Sequence, residues 1–227
     1  MSTTIGYSSE LYFIEAQDVM GLEDNITPIA LPPHLTSEVV VLLGNDKQGI
    51  ADTLISGREK VQNAIQNKQT HIGVRFAFIS NISRWNLPAI FFKGLRQHYK
   101  FQSPNIYHIS LNSLRSMHIE RGFRNAQNAY AISKRWKISP EERVNRYQKL
   151  SNSIKQNGFD DKYPIAIMLC RRCGIKDCVD DGHHRIGICV ENGIERIAIR
   201  FRAAGSLSLR LQNICLKFIN LFPKKTN

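Results

Sequence analysis

No apolar run in this chain is long enough to cross a bilayer as a helix, which takes roughly 20 residues. Neither of the familiar glycine-rich phosphate loops is present: there is no G-x-G-x-x-G and no Walker-type Gly-Lys-Ser/Thr. No low-complexity tract and no internal repeat stands out in the order of residues. The opening Met1-Ser-Thr-Thr has neither a basic segment nor an apolar one, so no secretory signal is expected. Cysteine is sparse and odd in number, five in 227 residues, which suits a reducing compartment better than a disulfide framework. These absences predict a cytoplasmic globular protein.

What is present fits that expectation. A hydrophobic content of 42% with 22% charged residues is ordinary for a folded protein. The length allows one large domain or two small ones. Lys and Arg number 31 against 19 Asp and Glu, a net charge of +12. That excess favours anionic partners, whether nucleotides, nucleic acid or an acidic membrane surface, without choosing among them.

Along the chain, a short strand is expected near Leu11 to Ile14, then a loop through Pro28, Pro32 and Pro33. The aliphatic run Glu38 to Gly44 reads as a buried strand. Ile50, Leu54, Val61 and Ile65 recur near helical spacing and predict a helix over 47–68, with Asn45 as a candidate cap. His71 to Ser80 alternates as the next strand. Gly44-Asn-Asp-Lys within this strand, helix, strand unit invites a nucleotide reading, but it lacks a phosphate-loop signature, and a plain structural connection is the better reading. Arg84 to Lys100 is basic and amphipathic, interrupted at Pro88. It fits either a core helix with solvated charge or a surface for nucleic acid or lipid.

The second part opens with a strand at Ile106, ending in Leu111-Asn-Ser-Leu114. Ser139-Pro-Glu-Glu142 reads as a helix start, with Asn157-Gly158 as its stop. Pro164 to Cys170 is a further strand. Ser206 to Phe222, with Arg210 and Lys217, predicts a C-terminal helix that either docks on the core or lies on acidic lipid.

The most informative stretch is Ile175 to Ile194. A strand ending at Val179 leads through Asp180-Asp181-Gly182-His183-His184-Arg185 into a short helix stopped by Asn192-Gly193, and Arg196 to Phe201 comes next as a strand. Free backbone N–H groups, two imidazoles and a guanidinium thus gather at a helix N-terminus, which favours an anion. Asp-Gly-His-His-Arg with a small-residue helix and Asn-Gly-Ile after it resembles the signature turn of the ParB/sulfiredoxin superfamily. Leu150 to Phe159 and Tyr163-Pro-Ile-Ala-Ile-Met168 are similar to that family's helix, "N-G" and next strand.

The resemblance spans roughly Ile106 to Arg202. It implies an α/β (α+β) fold: an N-terminal α/β region (1–104), a ParB/sulfiredoxin-like domain with a mixed sheet and short helices (105–205), and a basic C-terminal helix (206–227). Sulfiredoxins carry a reactive cysteine where this chain has His183, so the resemblance does not extend to sulfinic-acid repair. The turn is instead similar to the branch that phosphorylates free serine. That likeness implies ATP (or another nucleotide) bound with Mg²⁺ by Gly182, His183, His184 and Arg185, with Glu120 as catalytic base and Asp181 supporting the base or the metal.

The expected function is therefore phosphoryl transfer to a small hydroxylated substrate. The rivals are a nucleotide-controlled DNA-binding or regulatory protein and a non-enzymatic scaffold at the inner face of a membrane. Cys170-Arg-Arg-Cys173 with Cys178 and His183 or His184 has the donors of a zinc site. Using His183 would remove it from the phosphate turn, and small hydrophobes are welcome on strands, so no metal ligands are assigned.

Overall fold

In the computed structural model, residues 4–25, 29–80, 100–115, 139–169 and 177–204 are described. The first part contains β1 (Thr4–Tyr7), β2 (Tyr12–Glu15), α1 (Ala16–Met20), β3 (Glu23–Asp24), β4 (Val39–Leu43), β5 (Thr53–Ser56), α2 (Arg58–Gln66) and β6 (His71–Ser80). The second contains β7 (Lys100–Gln102), β8 (Tyr107–Ser110), α3 (Leu111–Arg115), α4 (Pro140–Asn157), β9 (Ile165–Leu169), β10 (Cys178–Asp181), α5 (His183–Glu191) and β11 (Arg196–Ala204). The α/β class expected from the sequence is observed. Among the described residues all eleven strands join one mixed sheet, ordered β10-β9-β11-β8-β2-β6-β4-β5-β3, with β1 on β6 and β7 on β11. Lys100 to Gln102, on the first side of the expected boundary at 104, pairs with β11 of the second part.

The sheet contains an internal repeat that the residue order conceals. The long strand β6 has β2 and β1 end to end on one edge and the parallel β4 on the other. The long strand β11 has β8 and β7 on one edge and the parallel β9 on the other. Tyr12 faces Val74 as Tyr107 faces Ile199, and Val39 faces Val74 as Ile165 faces Ile199. The loop bonds recur as well. Ser8 N–H donates to Phe76 O and Ser103 N–H to Phe201 O, while Gln69 N–H donates to Ala64 O and Ile194 N–H to Cys189 O. Between β2 and β8, Ile14 pairs with its own equivalent, Ile109, as a two-fold relation requires.

The repeats interlock through buried aspartates. Asp177 Oδ2 accepts from the Tyr12 hydroxyl at 2.8 Å and from the N–H groups of Ser9 and Glu10 at 3.0 and 3.3 Å. Its counterpart Asp52 accepts from the Tyr107 hydroxyl and Gly44 N–H, both at 2.6 Å, and from the Ser103 hydroxyl. Each repeat thus satisfies the carboxylate of the other, in a region where an unpaired one would be costly. Between them Tyr12, Phe76, Tyr107 and Phe201 form one buried aromatic cluster across the two-fold. Such ring pairs contribute about 0.5–1.5 kcal/mol each beyond their area.

Several expectations are corrected. The helix expected over 47–68 is instead a 3-10 turn at Asp46–Gln48, then β5, and only then α2. Gly57, at φ 91°, breaks the chain between strand and helix, and the supposed helical-face residue Ile50 is 52% exposed. The chain past β2 enters α1 rather than a loop, and Leu111 opens α3 rather than ending a strand. The start of α4 is as expected: Ser139 Oγ accepts from Glu142 N–H at 3.1 Å, Pro140 occupies the first turn, and Gly158 ends the helix. The basic segment 84–99 and the C-terminal helix lie outside the described residues. Among the described residues no helix is long and apolar enough to cross a membrane.

Candidate functional site

The Asp181 to Arg185 turn is built as a strand end running into a helix N-terminus. Asp181 closes β10, and its Oδ1 accepts from Gly182 N–H at 2.8 Å. Gly182 sits at φ 96°, and a Cβ there would lie 2.7 Å from Ile165 Cδ1 and 3.3 Å from Ile165 Cα. Only glycine fits both the backbone and the space. Ile186 N–H makes the first helical bond, to Gly182 O at 3.0 Å, which sets the helix N-terminus at the glycine.

Arg185 is the central side chain of this turn. It is only 18% exposed, with Nη2 3.5 Å from Asp181 Oδ2 and 3.4 Å from Pro164 O. Its Nε is buried with no partner among the described residues. Burial pulls its pKa below the usual guanidinium range; Asp181 opposes this, and nearby Arg202 adds to it. Arg202 is itself held by Asp180 at 3.0 Å and by Gln102 at 2.9 Å. Arg185 therefore carries a positive charge that its surroundings under-compensate.

Arg185 also lines a cavity of about 830 Å³, with Ser153, Asn157, Phe159, Lys162 and Tyr163. The helix α4 that walls it has no counterpart among the described residues of the first repeat. The half-buried His184 meets the Tyr147 ring of α4 edge-on at 5.5 Å. Tyr147 donates to both Glu191 carboxylate oxygens at 3.2 Å, and burial, with Glu191 adding, pushes its hydroxyl up to about 12. This edge-on ring contact and the Tyr147–Glu191 bonds tether α4 and fix one side of the cavity relative to the turn.

The equivalent turn of the first repeat, Ser56 to Lys60, is closed by its own chain. Arg58, the counterpart of His183, bonds Asp24 Oδ1 at 2.9 Å and the carbonyls of Met20 and Leu22. Lys60, the counterpart of Arg185, donates to Ser37 O. Of the two related turns, only the second leaves an arginine under-compensated beside a cavity.

Another cavity, of about 730 Å³, is lined by Glu15, Lys68, His71 and Arg196 and holds none of the turn residues. Nearby, Glu15, Asp18 and His108 bring ligand atoms within 4.8 Å of one another. Glu15 is committed to Arg196 at 2.7 Å, and the two His108 nitrogens face Asp18 and Asp161. This is a hydrogen-bonded network, with Glu15–Arg196 as its closest ion pair, tying α1, β8 and the loop after α4.

The structure brings together five of the expected residues: Asp181, Gly182, His183, His184 and Arg185. Glu120, Cys170 and Cys173 lie outside the described residues, and Cys178 is buried in β10 against Met168. Sequence reasoning missed Asp180, Arg202 and the cavity residues. A signal existed in the alternating Arg196, Arg200 and Arg202 of one strand, which puts three cations on one face.

No family model matches the chain, and no curated protein does. Among solved structures it is similar to a sulfiredoxin. That protein is from Arabidopsis thaliana; the match has 18% identity and a TM-score of 0.27, and covers 48% of this chain and 98% of that one. At that TM-score the likeness speaks to neither substrate nor chemistry.

Proposed function

We propose that the protein binds a nucleotide by its phosphates at the Asp181 to Arg185 turn and transfers a phosphoryl group to a small hydroxylated substrate held in the adjoining cavity. The observation that carries this reading is Arg185, with a buried, unpartnered Nε at a helix N-terminus, its nearest carboxylate being the largely exposed Asp181 at 3.5 Å from Nη2. A phosphate supplies what is missing there, through a charge-assisted and bidentate contact.

The donor set fits the group. Gly182 keeps a Cβ out of the approach to the helix N-terminus, whose dipole favours an anion. Asp181, 68% exposed, offers the hard oxygen ligand that Mg²⁺ prefers. When bound, ATP supplies the phosphoryl group and Mg²⁺ neutralises its charge. The chain's part is to hold the phosphates with Arg185, orient the acceptor within the cavity and exclude water by the packing of α4. Glu120, outside the described residues, is the base that the family resemblance assigns.

The test is a thermal-shift series with ATP, ADP, CTP and GTP in the presence of Mg²⁺. Wild type should be stabilised by at least one nucleotide and Arg185→Ala by none. A wild type indifferent to all four would sink this reading. DNA retention that falls steeply with salt would then favour the nucleic-acid alternative.

A further inference from the structure

The internal repeat makes one arginine conspicuous. In the first repeat Arg75, on β6, points away from the aromatic core and meets Glu38, the residue just before β4. Arg75 Nε lies 2.8 Å from Glu38 Oε2 and Nη2 lies 3.1 Å from Oε1, a bidentate pair. Arg75 Nη1 also reaches the carbonyls of Ser8 and Ser9. Arg75 and, more weakly, His34 and then Lys60 hold the Glu38 carboxyl below the usual carboxylate range, against the effect of burial. The first repeat thus carries a built-in carboxylate between its strand arginine and the basic residue of its Gly57 turn.

In the second repeat the equivalent of Arg75 is Arg200, since Val40 faces Arg75 as Ala166 faces Arg200. The equivalent of Glu38 is Pro164, the residue just before β9, which has no side-chain acceptor. Arg200 Nε is buried and unpartnered, and no ion pair is formed by Arg200 among the described residues. Pro164 is also the residue whose carbonyl Arg185 touches, at 3.4 Å. The position left without an anion is therefore bordered by the same proline that Arg185 leans on. The chain keeps both cations and omits the carboxylate.

We propose that Arg200 is a second anion-binding residue of the Asp181 to Arg185 site. In this arrangement it takes a phosphate-type oxyanion where Arg75 takes Glu38. The proposal rests on the phosphate reading of that turn and extends it. Two guanidiniums beside one strand start suit a polyphosphate or a phosphorylated substrate better than a single neutral ligand.

The experiment compares wild type, Arg200→Gln and Pro164→Glu as full-length chains. Each is melted with inorganic phosphate, with ATP and Mg²⁺, and with sodium chloride of matched ionic strength. Phosphate should raise the wild-type Tm beyond the salt control, and Arg200→Gln should lose that rise. Pro164→Glu, which restores the first repeat's carboxylate, should melt higher without ligand and respond little to phosphate. If Arg200→Gln does not fold, the Pro164→Glu arm decides alone. Retention of the full phosphate shift by Arg200→Gln overturns the proposal, as does a Pro164→Glu protein unchanged in both Tm and response. A nucleotide shift lost in Arg185→Ala but kept in Arg200→Gln leaves the proposed function standing and removes only this extension. A phosphate shift lost in Arg200→Gln with no response to any nucleotide does the reverse. No response to phosphate or nucleotide overturns both.

Discussion

Replacing Tyr107 by Phe tests the interlock between the repeats. The ring stays in its aromatic cluster, so packing is kept and only the hydroxyl bonded to Asp52 is lost. Asp52 is 2% exposed, so no water replaces that donor. A buried hydrogen bond to a charged group is worth about 1.5–3 kcal/mol, and Asp52 keeps the Ser103 and Gly44 donors, which places the loss near 2 kcal/mol. In a chain of this size that lowers Tm by about 4–8 °C. Tyr12→Phe removes the corresponding bond to Asp177 and should cost a similar amount. Because the two carboxylates are satisfied by separate donor sets, the double variant should show the sum of the single losses. Urea unfolding monitored by far-UV circular dichroism gives all three values. A loss under about 0.5 kcal/mol for either variant, below the range for such bonds, would refute the interlock.

Three other outcomes are expected from the geometry. Gly182→Ala should cost about 1–3 kcal/mol through its positive φ and the contact with Ile165, and should abolish any nucleotide-induced Tm shift; unchanged stability in urea would contradict the turn described. Glu38→Gln should lose about 2 kcal/mol near neutral pH, because Arg75 depresses the Glu38 pKa in the folded protein. The Glu38 contribution is present above its unfolded pKa of about 4.3 and fades as pH falls through the folded value, so the variant and wild type should converge in acid; a constant gap from neutral pH down to strong acid would be wrong for this pair. Burial raises the Asp52 pKa against the lowering effect of its hydrogen bonds, so its contribution is fully present below the unfolded pKa and is lost as pH rises through the folded one. The stability gap between wild type and Asp52→Asn should therefore narrow with rising pH, and unfolding curves in acid and at neutral pH that show it widening would reverse the sign.

The local features were legible because single residues dictate them. Ser139 with Pro140 starts α4, and the Asp181 to Arg185 turn reads directly as a strand end entering a helix. The repeat was not legible. Its signature is a few scattered identities, Ser8 with Ser103, Tyr12 with Tyr107, Asp52 with Asp177, Gly57 with Gly182 and Phe76 with Phe201. Between them the fold asks only for a buried hydrophobe, so Val39 answers to Ile165 and Val61 to Ile186 without matching. The longer connection before β9, which includes α4, also shifts the spacing between the two halves. The helix expected over 47–68 failed for a related reason. Apolar spacing cannot register a glycine at positive φ, and that one residue converts a continuous pattern into a strand and then a helix. The alternation of Arg196, Arg200 and Arg202 is legible in sequence, but that Arg200 lacks a carboxylate among the described residues became visible only by comparison with Arg75.

The crossed aspartates also constrain how the molecule is made. Ser9 and Tyr12 need Asp177, 168 and 165 residues further along the chain. At synthesis rates of roughly 5–20 residues per second, the earliest strands leave the ribosome on the order of ten seconds before their partner exists. During that interval the Tyr12 hydroxyl lacks its acceptor and the Tyr12 and Phe76 rings still wait for Phe201, a standing invitation to wrong pairing. Folding should therefore be gated by the last third of the chain, and nascent chains halted before Asp177 should be protease-sensitive throughout, however complete their first repeat.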